Sequence, residues 1–165
     1  MNRKKITMSD KALLQSYKQT ADLHAQRMTT AFKNVHHLFP LTVETIKNLQ
    51  DVDIAWLDSA TGRFSKLQDL ISAKIFPLLI KILGQEIPLQ TFIDKLNKLE
   101  KLDFLPSADD WSDMRDIRNL LAHDYPETED EIAKELTKIF KIINELNEYW
   151  QELREKLATV IEQMK

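Results

Sequence analysis

Ten apolar residues, Ile132, Leu136, Ile139, Ile143, Leu146, Trp150, Leu153, Leu157, Val160 and Met164, follow one another at alternating steps of four and three. That spacing keeps them on one face of an α-helix for more than four heptads, and no glycine or proline interrupts it. Thr128 and Glu131 stand just before it in the T-x-x-E pattern of a capping box. At 1.5 Å per residue the helix would run roughly 50 Å. A seam of that length either lines the core of an antiparallel bundle or carries its distal half to a second protomer.

The rest of the chain agrees with an all-α fold. Two glycines and five prolines in 165 residues are too few for the turns of a many-stranded β protein, and 30% charged residues suit solvated helices. Leu57, Ala60, Phe64, Leu67, Ile71, Ile75, Leu78 and Ile82 predict a second long helix, kinked near Lys74–Phe76 by Pro77 and stopped by Gly84. Ser9 and Asp10 can cap a first helix reaching Phe39-Pro40, and Thr42 a short one through Val43 and Ile46. Pro88 is expected to open a helix carrying Phe92, Leu96 and Leu99, which Leu105-Pro106 would end. Ser107 caps the next, with Trp111, Met114, Ile117 and Leu121, which should end near Asp124 because Pro126 biases Tyr125 away from the α region. The expected architecture is one compact antiparallel bundle of about five to six helices with a long C-terminal helix.

Composition removes several chemistries. Gly62 and Gly84 are too far apart for a P-loop or dinucleotide-binding fingerprint, and the absence of cysteine removes thiolate metal sites and thiol nucleophiles. No metal or cofactor is expected. His36 and His37 are adjacent, about 100° apart on a helix, and His24 has no partner at ligand spacing and reads as a surface or boundary residue. The longest apolar stretch, from 75 to 83, is far short of a bilayer span of about 20 residues, and no apolar segment follows the basic N-terminus, so a non-membrane, cytoplasmic protein is expected. A formal net charge of −3 disfavours a uniformly basic nucleic-acid binder.

One segment carries chemistry: Arg115-Asp116-Ile117-Arg118-Asn119-Leu120-Leu121-Ala122-His123-Asp124-Tyr125-Pro126. Arg115, Arg118 and Asn119 form a polar stripe opposite Met114, Ile117 and Leu121, and an imidazole stands where the helix ends. Arginine presents a fixed fork of donors suited to phosphate, and histidine exchanges protons near neutral pH. Arg118 and His123 are about 140° apart on a regular helix, so they would flank a groove completed by another helix or a second copy. A solvated, salt-bridged helix end is the other reading of these residues. Between Asp109 and Glu131 stand nine acidic and two basic residues, a field that repels a polyanion unless the carboxylates point away.

The R-x-x-x-x-H-x-Y pattern of Arg118, His123 and Tyr125, with Asn119 after the arginine, resembles the signature of HEPN domains, in particular HepT-type toxins paired with minimal nucleotidyltransferases. Residues 53–86, with Arg63 and Asp69, resemble that family's kinked second helix. The resemblance spans about residues 51–165 and leaves 1–50 as an N-terminal helical extension. It implies a metal-independent endoribonuclease acting as a homodimer. Arg118 would stabilise the phosphate charge, His123 would act as general acid or base, Asn119 and Arg115 would support them, and Arg63 and Asp69 would contribute from the second helix. The RNA 2′-hydroxyl would attack phosphorus, leaving a cyclic phosphate. Tyr125 would be the residue that a partner nucleotidyltransferase adenylylates to silence the toxin. The alternative under the same resemblance is a non-catalytic partner subunit of the nucleotidyltransferase.

Overall fold

The long apolar seam finds its partner within the chain. In the computed structural model, which describes residues 8–121 and 128–164, the last helix (α7, Glu129–Gln163) is 35 residues long, and Thr128 caps it by accepting the Glu131 N–H at 3.3 Å. From Leu136 to Met164 the seam residues are buried, with Trp150, Leu146, Leu153 and Leu157 fully so, and only Ile132 and Val160 partly exposed. The first helix (α1, Met8–Val35) lies against it in opposite direction: Lys11 Nζ donates to the Met164 carbonyl at 2.6 Å, Asp22 meets Trp150 and Arg154, and Thr29 meets Asn147. Residues 8–35 therefore share one core with the rest of the bundle. Since α1 begins at Met8, Ser9 and Asp10 lie in its first turn rather than before it.

A 3-10 turn, His36–Leu38, ends α1, and Thr42 caps the short helix α2 (Val43–Lys47) by accepting the Thr45 N–H at 3.1 Å. Next comes one rod built from α3 (Asp51–Leu70), a π-helical stretch at Ile71–Ile75 and α4 (Phe76–Ile82). The irregularity falls where Pro77 predicts it. Proline brings no N–H to the ladder, and the Phe76 N–H instead reaches the carbonyl of Ile71, five residues back. Gly84, at φ +67°, closes the rod with a Schellman motif in which the Gln85 N–H reaches the Ile80 carbonyl and the Gly84 N–H that of Lys81, each at 3.0 Å.

Two sequence expectations change here. Pro88 does not start a helix: Leu89 is in the left-handed region at φ 59°, and α5 (Phe92–Lys101) begins after Thr91. A reciprocal capping box holds that start, with the Thr91 N–H on Asp94 Oδ2 at 2.9 Å and the Asp94 N–H on Thr91 Oγ1 at 3.2 Å. Nor does α5 wait for Leu105-Pro106. Asp103 takes the left-handed conformation at φ 61°, and the Phe104 N–H closes on the Leu99 carbonyl at 2.9 Å. Ser107 caps α6 (Ala108–Leu121) as expected, receiving the Asp110 N–H at 3.1 Å. The described residues contain no strand, and no helix among them is long and apolar enough to cross a membrane.

Polar contacts pin the α1–α7 seam at Asp22. Burial works against its ionisation, but hydrogen bonds from Arg154 and Trp150 and the charge of Lys18 outweigh it and hold the carboxyl below its usual range. A depressed folded-state pKa means stability that is present above the ordinary carboxylate pKa and lost as pH falls through the folded value. Chemical denaturation of Asp22→Asn against wild type should therefore show a gap at pH 7 that narrows below pH 4. A gap independent of pH would contradict the ion-pair account.

Candidate functional site

Helix α6 places the candidate residues. Trp111 fixes its position: the indole is buried, tilts against Phe76 at 5.1 Å and Tyr149 at 5.2 Å, and donates from Nε1 to Ser72 Oγ at 3.0 Å. Ser72 lies in the π-helical stretch, so the Pro77 irregularity supplies the acceptor that seats the motif helix. Two turns beyond Trp111, on nearly the same side of α6, comes Arg118.

Arg118 and Asp69 are brought together across α6 and α3, Nη2 to Oδ2 at 2.5 Å. Nη1 donates to Asn119 Oδ1 at 3.2 Å, and Nε is buried with no partner among the described residues. The Arg118 side chain keeps 29% of its surface exposed, so the head is anchored on one side and open on another. Arg115 goes elsewhere: its guanidinium stacks 4.2 Å above the Phe92 ring of α5, a cation–π contact that leaves the residue exposed. Arg63 is also apart from Arg118, with Nη1 3.1 Å from His24 Nδ1 on α1. His123 and Tyr125 lie outside the described residues. Among the expected site residues the structure thus joins Arg118, Asn119 and Asp69, and separates Arg115 and Arg63 from them.

The acidity of this segment has a direction. At about 100° per residue, Asp109, Asp113 and Asp116 fall within one arc of α6 roughly opposite Arg118, and Asp110 about 80° from it. All four are exposed. Asp110 and Asp113 instead line a groove of about 600 Å³ between α6 and α7, floored by Trp111, Met114 and Ile142 and faced across by Lys138 and Lys141. The carboxylate that meets Arg118 comes from α3.

Beside Asp69, Gln68 is 1% exposed, and neither its Oε1 nor its Nε2 has a partner among the described residues. The pattern of apolar steps gave no sign of it, because Gln68 sits next to Leu67 on the buried face. An unpaired buried amide costs on the order of 1–3 kcal/mol. Gln68→Met, close in shape and free of that debt, is expected to raise stability by about 1 kcal/mol and the melting temperature by about 2–4 °C. A lower melting temperature would mean that the amide is bonded in solution.

No three His, Asp or Glu side chains among the described residues gather at metal-ligand distances. Compared with protein-family models, curated proteins and solved structures, the chain matches none.

Proposed function

We propose that the protein is a metal-independent endoribonuclease of the HEPN type, acting on RNA as a homodimer and held in check by a minimal nucleotidyltransferase. The observation that carries this reading is Arg118: an arginine anchored by Asp69 and Asn119, partly open to solvent, with Asp109, Asp113 and Asp116 of its own helix turned roughly to the opposite side. Such a guanidinium is held in advance where phosphoryl charge develops, so little reorganisation is needed during reaction. His123, five residues on, supplies the group able to move protons near neutral pH. One imidazole would take the 2′-hydroxyl proton while the oxygen attacks phosphorus, and a proton would be delivered to the departing 5′-oxygen. The products are a 2′,3′-cyclic phosphate and a 5′-hydroxyl. Adenylylation of Tyr125, two residues from His123, would add bulk and negative charge beside the phosphate site and close it to RNA.

The test is induction of the chain alone in cells, followed by purification and incubation with RNA in excess chelator. Growth arrest, and fragments whose 5′ ends accept phosphate from a kinase without prior phosphatase treatment, are expected. Intact RNA and unimpaired growth would remove the ribonuclease reading.

The Arg118–Asp69 ion pair favours a second reading, in which that arginine is structural and the protein is a non-catalytic partner of the nucleotidyltransferase. Under it, complex formation with the transferase survives Arg118→Ala and His123→Ala, and neither form cleaves RNA.

A further inference from the structure

The N-terminal helix, outside the stretch that carries the motif resemblance, builds a second cationic feature. His24 on α1 meets Arg63 on α3 at 3.1 Å, and the charges of Lys66 on α3 and of Arg27, one turn along α1, reach the same imidazole. Arg63 can only donate, so His24 Nδ1 must accept and the ring proton must sit on Nε2. Burial first, then the charges of Arg63, Lys66 and Arg27, hold the His24 pKa below its ordinary value. Among the described residues none of these three cations is in an ion pair with an acid. Arg27 and Lys66 are exposed. A chain of net charge −3 therefore keeps three unneutralised cations and a neutral N–H donor in one place.

This cluster is also in line with Arg118. Arg63, Lys66 and Asp69 are spaced by three on α3, forming one oblique ridge of that helix, and Asp69 holds Arg118 at its end. From Arg63 to Asp69 the ridge rises about 9 Å along the helix axis while turning about 120° around it. Two unpaired cations on the ridge, with the charge of Arg27 beside His24, match a polyanion better than a single small anion, which needs no continuation.

We propose that His24, Arg27, Arg63 and Lys66 form a docking face for the phosphodiester backbone of single-stranded RNA, which passes along the α3 ridge to Arg118. The path to Arg118 rests on the ribonuclease reading above; the docking face itself does not depend on cleavage. The α1 helix thereby becomes part of substrate recognition, and the four cationic or donor side chains set where the strand lies without reading its bases.

The test is titration of a fluorescent single-stranded RNA with full-length protein carrying Arg118→Ala, so that the RNA survives, over a range of salt concentrations. Adding Arg27→Ala and Lys66→Ala, both on exposed positions, should lower the slope of log affinity against log salt by about 1.4 and weaken binding about tenfold at 0.15 M salt. Adding Lys138→Ala and Lys141→Ala instead, the same charge change at the α6–α7 groove, should leave slope and affinity near those of the parent. Equal losses in the two doubles, or no RNA binding by the parent, would overturn the proposal. RNA binding that needs Arg27 and Lys66 in a chain that cleaves nothing would support the docking face while removing the ribonuclease reading.

Discussion

Under the proposed ribonuclease reading, Arg118→Ala is expected to reduce RNA cleavage by about 10²–10³-fold while leaving the fold almost unchanged. The size follows from removing one preorganised donor to developing negative charge. The small structural effect follows from the exposure of the pair: the Asp69 carboxylate is 46% exposed, and ion pairs of that kind contribute about 0–1 kcal/mol. Loss of the unpartnered, buried Arg118 Nε offsets part even of that. Arg118→Lys keeps the charge but loses the fork that spans Asp69 and Asn119, so it should recover only a minor part of the rate. Asp69→Asn separates holding from chemistry: the guanidinium remains but is no longer fixed, and a loss nearer tenfold is expected. Initial rates on one RNA, with circular dichroism melts of each variant, check the series. Cleavage by Arg118→Ala at the wild-type rate would end the catalytic account, whereas a collapse of its melting temperature would reassign Arg118 to structure.

Trp150→Ala should be the most damaging of the core substitutions. Its side chain is fully buried at the middle of α7, and its indole N–H donates to Asp22 Oδ1 at 3.0 Å on α1. Truncating a buried tryptophan to alanine costs about 3–5 kcal/mol, through lost apolar burial and the cavity left behind. For a chain of this length that corresponds to a fall in melting temperature of roughly 10 °C or more. Trp150→Phe refills most of the volume and loses only the hydrogen bond, while Asp22 keeps Arg154 at 2.8 Å, so about 1 kcal/mol is expected. Urea denaturation with an unchanged m-value checks both. If the two substitutions cost the same, the hydrogen bond rather than the packing holds α1 to α7.

Much of this fold was legible because helix periodicity is a local property. The seam from Ile132 to Met164, the Thr42 and Ser107 caps, the Gly84 stop and the irregularity before Pro77 each depend on residues within a few positions of one another. The errors at Pro88 and Leu105-Pro106 have the same origin. Proline alone predicts both ends of α5, but the Thr91–Asp94 capping box and the left-handed Asp103 act closer to the helix and settle its limits. Whether the α7 seam closes inside the chain was not legible. Periodicity defines a face and not its partner, and the α1 register that covers that face depends on contacts more than a hundred positions apart.

The candidate site divides along the same line. Sequence by itself marks Arg118 and Asn119 as neighbours on one helix, the spacing to His123, and Asp69 and Arg63 on one earlier helix, because helical geometry orders residues within an element. Only the tertiary structure decides that Asp69 meets Arg118 while Arg63 turns to His24, and that Arg115 lies over Phe92. Those pairings are set by how α1 and α6 pack on α3 and how α5 packs on α6. Local charge counts could not anticipate that Asp109, Asp113 and Asp116 lie roughly opposite Arg118 on α6, since a count along the chain carries no direction. A helix gives every charge an azimuth, and packing alone decides which azimuth faces the site.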